Sequence, residues 1–167
     1  MKVGIIGIGM LGEAVALNLL NSGYDVAVYN RTKEKTIEVE KKGAKVMDSP
    51  KIMAENVELI IIVVKDAGAV RDVSFGEKGI IESKNKKLIV ADMSTIDSTE
   101  SKNIANKFQE NHIQKLEIPV MGGPHVAITG KLVMMASGPK TSFDYCKIIF
   151  EKIANKVFFL GEQGIAN

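Results

Sequence analysis

Apolar positions along this chain alternate between short continuous runs and helical stripes. Lys2-Val3-Gly4-Ile5-Ile6 reads as a strand, and Leu11, Val15 and Leu19 then recur at helical spacing until Gly23 closes the helix. Asp25–Asn30 is the next strand, followed by a polar helix expected from about Lys33 to Lys42, a closing Gly43 and a short strand at Ala44–Met47. Ser49-Pro50 marks a helix start, with a hydroxyl to cap the first turn and a proline where no N–H is needed. Glu58–Val64 is an unbroken, largely β-branched run, the pattern of a parallel strand covered on both faces. A helix at Ala67–Val73, a central strand at Lys87–Met93 and a helix from the cap Asp97-Ser-Thr-Glu100 to about Asn111 follow. Strands near Lys115–Val120 and Leu132–Ser137, a helix at Ser142–Ala154 and a strand at Val157–Leu160 complete the expectation. This β-α alternation predicts an α/β fold with a doubly wound, mostly parallel sheet and helices on both faces.

Composition narrows the picture without deciding it. A length of 167 residues suits one domain with a real core, and 46% hydrophobic with 25% charged residues is ordinary for a globular protein. A net charge of +2 gives no ground for a nucleic-acid or membrane-surface partner. No apolar stretch approaches the about 18 residues of a membrane span, and the first residues lack a signal-peptide layout, so a cytoplasmic location is expected. The single Cys146 excludes an internal disulfide and reads as a core residue, as do Met47, Met53, Met134 and Met135. No His, Cys or acid spacing suggests a metal. His112 is expected on the surface. His125, beside Gly-Gly-Pro, is more plausible as a loop histidine than as a general acid.

Candidate chemistry lies first in the glycine turn between the first strand and helix. Gly7, Ile8, Gly9, Met10, Leu11 and Gly12 form a G-x-G-x-x-G element in its full strand–turn–helix context, the Rossmann-type arrangement that binds a dinucleotide pyrophosphate. Gly7 suits the tight turn, Gly9 admits phosphate, and Gly12 lets helix and strand pack closely. At the end of the second strand an acid would bind the ribose 2′-hydroxyl of NAD. Asn30, Arg31 and Thr32 stand there instead, offering a neutral amide, a guanidinium and a hydroxyl, and so point to NADP rather than NAD. Three more loops leave the carboxyl ends of strands: Val63–Asp66, with Val64 and Lys65; Asp92–Ile96, with the Ser94 and Thr95 hydroxyls; and Pro119–Pro124, where Gly122 and Gly123 expose backbone N–H groups.

These motifs, in this order, resemble the N-terminal domain of the β-hydroxyacid dehydrogenase family, which includes 3-hydroxyisobutyrate dehydrogenases, glyoxylate reductases and, more distantly, 6-phosphogluconate dehydrogenase and imine reductases. Gly4–Gly12 is similar to the family's cofactor signature, Tyr29–Thr32 to its NADP-preferring version, Asp92–Ile96 to its nicotinamide-side motif and Pro119–Gly123 to its substrate-side motif. The resemblance implies cofactor contacts at the glycine turn, Asn30, Arg31, Val64, Lys65 and Thr95, and substrate contacts at positions 121–123. It implies hydride transfer between NADP(H) and a small β-hydroxy acid, semialdehyde or glyoxylate-like substrate, by a protein that is a homo-oligomer when complete. Met121 stands where the family usually has serine, which leaves room for a less polar substrate, and Lys65 stands where it tends to have proline, to add a phosphate contact or lie in solvent. An imine reductase domain and a non-catalytic NADP-binding module are the alternatives. By the same resemblance residues 1–160 form the dinucleotide-binding domain, and 161–167 begin a linker to a helical domain. The family's catalytic lysine falls beyond Asn167, so no catalytic residue is expected within this chain.

Overall fold

A computed structural model describes residues 1–167. Strand β1 (Lys2–Ile6) leads through helix α1 (Met10–Asn21) to β2 (Asp25–Tyr29), and α2 (Ile37–Lys41) leads on to β3 (Lys45–Val46). Next come α3 (Pro50–Asn56), β4 (Leu59–Ile62), α4 (Ala67–Phe75), β5 (Ile89–Asp92) and α5 (Ser98–Glu110). The remainder is β6 (Gln114–Glu117), β7 (Val120–Met121), α6 (Pro124–Ala127), β8 (Leu132–Ser137), α7 (Lys140–Ile153) and β9 (Ala154–Gly161). The sheet runs β3-β2-β1-β4-β5-β6 with every pairing parallel. Beyond it β8 lies antiparallel to β6 and β7, and β9 pairs parallel with β8. The chain reverses its direction of winding between β1 and β4, the crevice where such sheets bind ligands.

The continuous apolar runs work because alternate residues serve different layers. In β4, Leu59 and Ile61 pack with α1 and α7 residues such as Val15 and Phe150, while Ile60 and Ile62 join Met53, Val70 and Phe108 on the opposite face. Each such isoleucine, fully removed from water, contributes about 1.5–3 kcal/mol of transfer free energy. The N-caps read from sequence are formed: Ser49 Oγ accepts the Ile52 N–H at 3.2 Å and Asp97 Oδ1 the Thr99 N–H at 2.8 Å. Met47, Met53 and Met134 are buried, Met135 half-buried and His112 exposed.

Three local expectations are corrected. The polar helix over Lys33–Lys42 opens as a 3-10 turn, Lys33–Thr36, because the buried Thr36 hydroxyl donates to the Lys33 carbonyl at 2.7 Å. The strand over Lys115–Val120 is split into β6 and β7, since Pro119 has no N–H to give the ladder. The last strand starts at Ala154 rather than Val157, its exposed Asn155 and Lys156 lying on the sheet edge at a register shift. Residues 162–165 form a turn beyond β9. Gly164 is left-handed at φ +92°, and the Gly164 and Ala166 N–H groups donate to side chains.

Candidate functional site

The carboxyl edge of the sheet gathers every loop singled out in the sequence. Gly7 turns the chain out of β1 at φ +99°, and a Cβ there would lie 2.1 Å from the Val63 carbonyl oxygen. A Cβ on Gly12 would lie 1.9 Å from the Gly7 oxygen, so helix, turn and neighbouring strand touch through bare backbone. Gly9 is different. It is the extended N-cap of α1, no side chain caps the helix, and a Cβ there would meet nothing within 4 Å. The first-turn N–H groups of a 12-residue helix therefore face open space with the positive end of the helix dipole. Met10 is 80% exposed beside them.

The end of β2 is stitched to this turn. The Ile8 N–H donates to Asn30 Oδ1 at 2.9 Å, and Asn30 Nδ2 donates to the Thr32 carbonyl at 2.8 Å. Asn30 thus fixes the path of both segments, while Ile8 spends its N–H internally and buries its side chain. Arg31 and Thr32 are exposed, and the Arg31 guanidinium has no carboxylate partner. Lys33 does, at 2.9 Å from Asp48. That pairing raises the Lys33 ammonium and lowers the Asp48 carboxyl relative to their ordinary values, through the shared hydrogen bond and charge.

Two further loops are joined to each other. The Val64 N–H donates to Ser94 Oγ at 3.1 Å, and the Ser94 N–H donates to Asp92 Oδ1 at 3.0 Å. Ser94 is buried, which corrects its reading as a hydroxyl open to a ligand, whereas Thr95 is exposed. Lys65 lies 3.2 Å from Asp66, whose carboxylate caps α4 through the Ala69 N–H at 2.8 Å. That N–H and the Lys65 charge hold the Asp66 carboxyl below the usual range. On the far side of the edge, Met121 is 57% exposed, Gly122 is left-handed at φ +126°, and Gly123 is the N-cap of the short α6, on which His125 is exposed.

One feature escaped the sequence reading. Beneath the edge lies a buried polar cluster of Asp92, Ser101, Lys115, Glu117 and Ser137. The Lys115 ammonium donates to Ser101 Oγ at 2.8 Å and lies 3.6 Å from Asp92. The Ser101 and Ser137 hydroxyls both donate to Glu117. Burial pushes the Asp92 carboxyl up and the Lys115 ammonium down, each opposed by the other's charge. Burial alone would also raise Glu117, but donors from Ser101, Ser137 and Gly164, with the Lys115 charge, outweigh it and bring this carboxyl below its ordinary value. The detectable signal was charge in strands otherwise apolar: Asp92 and Glu117 are register partners, as are Val90 and Lys115. Two clefts, of about 270 and 410 Å³, lie away from the glycine turn, the first with Lys115 in its wall. One is between α5 and residues 138–139 and 162–163, the other beside Glu58 and Tyr145.

Comparison with known proteins points the same way. A family model described as the NAD binding domain of 6-phosphogluconate dehydrogenase matches residues 2–161. The chain is 33% identical over 163 residues to the uncharacterized oxidoreductase YfjR of Bacillus subtilis, aligning 98% of itself with 57% of that protein. It is 32% identical over 164 residues to glyoxylate/succinic semialdehyde reductase 1 of Arabidopsis thaliana, again 98% against 57%. The solved structure of Psf3 in complex with NADP+ and 2-OPP superposes with a TM-score of 0.94 at 27% identity, covering 98% of this chain and 58% of that one. The chain thus spans a little over half the length of these relatives.

Proposed function

The chain belongs to the family of the NAD binding domain of 6-phosphogluconate dehydrogenase, and from that premise we propose that it binds NADP(H) along the carboxyl edge of its sheet as the coenzyme-holding part of an oxidoreductase. The single observation that carries the reading is the uncapped amino end of α1, open at Gly9, beside the unpaired Arg31. Free N–H groups and a positive dipole end suit a pyrophosphate. A guanidinium without a carboxylate of its own suits a 2′-phosphate, which an acid in its place would repel. Thr32 adds a donor. Asn30 holds turn and strand end in register, Val64 and Thr95 flank the nicotinamide half, and Lys65 stands at its rim.

Bound NADPH would supply the hydride. The chain's own share is to orient it. Met121, Gly122 and Gly123 offer an apolar side chain and backbone N–H groups to a small substrate of the β-hydroxy acid, semialdehyde or glyoxylate kind. No side chain at this edge is fitted to hand a proton to the reduced oxygen: Lys65 is paired with Asp66, and His125 has no partner to fix its tautomer. The proposal therefore assigns these residues binding and orientation, with the proton donor outside them. The exposed Met121 favours a second reading, reduction of a less polar substrate such as a cyclic imine.

Calorimetric titration with NADPH and NADH tests the coenzyme assignment. NADPH should bind at least tenfold more tightly, and Arg31→Asp should abolish or reverse that ratio. Uptake of neither coenzyme overturns the reading, and an unchanged ratio in Arg31→Asp removes Arg31 from it. Assays of the complete enzyme against glyoxylate, a semialdehyde and a cyclic imine separate the substrate classes.

A further inference from the structure

Lys115 is the only lysine or arginine in the chain that is buried. It sits between two carboxylates that serve different stretches of backbone. On one side Asp92 Oδ1 accepts the Ser94 N–H and Ser94 Oγ accepts the Val64 N–H, so one carboxylate sets the loops after both β4 and β5. On the other side Glu117 accepts the Gly164 N–H at 2.8 Å and the Ser137 hydroxyl, which itself accepts the Ala166 N–H at 3.3 Å. Asn167 Nδ2 donates to Ser101 Oγ at 3.2 Å, the atom that also takes the Lys115 ammonium.

A buried charge without a partner is costly, and neither side can satisfy both carboxylates alone. Asp92 Oδ2 has no hydrogen-bond donor, so its compensation is the ammonium 3.6 Å away. Glu117 reaches the same ammonium through Ser101. One cation is shared, and a shift in either carboxylate changes what is left for the other.

We propose that Lys115 is a positioning residue that ties the Val64 and Ser94–Thr95 loops to the Gly164–Asn167 turn, so that order in one is transmitted to the other. That the first pair of loops meets coenzyme rests on the function proposed above; the tie itself does not. The device would give the edge a means of sensing, at residues 164–167, whether the nucleotide side is set.

Amide hydrogen exchange on the coenzyme-free chain tests it, with rates taken relative to the core amides of Ile61 and Val90 so that global destabilisation cancels. Asp92→Asn should accelerate exchange at Gly164 and Ala166, which Asp92 does not touch, by about fivefold or more, the low end of measured couplings between sites. Glu117→Gln should do the same at Val64 and Ser94. Both crossed effects should fall below twofold in a Lys115→Met background. Ser101→Ala, which removes the bridging hydroxyl, serves as that background if Lys115→Met does not fold. Acceleration confined to the loop each acid caps, or crossed effects that persist without the lysine or its bridge, overturns the proposal. Adding NADPH to the unaltered chain should slow Gly164 exchange. Failure of NADPH to bind at all would count against the coenzyme reading while leaving the crossed result standing.

Discussion

Substituting alanine at Gly12 and at Gly9 separates packing from ligand approach within one turn of helix. Helix propensity alone makes Gly12→Ala favourable by about 1 kcal/mol. The structure reverses that sign. A Cβ at Gly12 would sit 1.9 Å from the Gly7 oxygen and 3.1 Å from its carbonyl carbon, where ordinary contact begins near 3.4 Å. The obstacle is backbone, and Gly7 is itself held by its N–H donating to Tyr29 at 2.9 Å, so helix α1 must move away from the sheet. Forced overpacking costs about 1–3 kcal/mol, and a backbone obstacle puts this site at the upper end, so a net loss near 2 kcal/mol is expected after the propensity gain. Gly9 has an extended backbone and an empty surround, and alanine there should change stability by less than about 1 kcal/mol. Its methyl group would nonetheless stand where a pyrophosphate must approach. Urea unfolding should therefore single out Gly12→Ala, and NADPH calorimetry should show Gly9→Ala folded but weakened at least tenfold. A Gly12→Ala protein as stable as the parent, or a Gly9→Ala protein that binds NADPH as well, would refute the reasoning.

Three other outcomes follow from buried groups. Cys146 is buried and its thiol is pushed up to about 12 by burial, so it should resist a disulfide reagent at pH 8 in the native state and react only on unfolding; rapid native labelling would contradict its placement. Ser49→Ala removes the cap of α3 and should cost about 1 kcal/mol in urea unfolding, whereas Ser49→Asp should retain most of that. Glu117 is held below its ordinary value in the fold, so its contribution is present above the unfolded carboxyl value of about 4.3 and is lost as pH falls through the depressed one. Glu117→Gln should accordingly be less stable than the parent at pH 7, with the gap closing on acidification; a gap independent of pH would show that the charge contributes nothing.

Local chemistry was legible in the sequence wherever it stayed local. The strand β4 could be read because both of its faces are apolar, and the caps at Ser49 and Asp97 because each acts within three residues of itself. The glycine turn was readable for the same reason, its order of strand, turn and helix being contiguous. Failures came where a short-range competitor or a distant partner intervened. Thr36 takes the Lys33 carbonyl and tightens a helix start, and Pro119 interrupts a strand whose side chains look continuous. The charged cluster was opaque because Lys115 finds Ser101 across 14 residues and Glu117 finds Gly164 across 47. In one dimension Lys115 reads as an ordinary surface residue.

The same distinction bears on the coenzyme proposed for this edge. Most of the polar groups here are spent inside the protein: the Ile8 N–H on Asn30, the Val64 N–H on Ser94, the Ser94 N–H on Asp92, and the Asp66 carboxylate on Ala69 and Lys65. Lys33, just beyond Thr32, is paired with Asp48. What stays uncommitted is a small set: the first-turn N–H groups of α1, the Arg31 guanidinium, and the exposed hydroxyls of Thr32 and Thr95. Unspent donors and charge are tolerable at a surface because water satisfies them, so their exposure alone identifies nothing. Their selectivity does. A fold that satisfies the neighbours of these groups while leaving anion-seeking donors at two adjacent strand ends is preorganised for a ligand with negative charge at two separated points. The NADP(H) proposed above would match both points, whereas NADH, lacking the 2′-phosphate, would leave Arg31 unused.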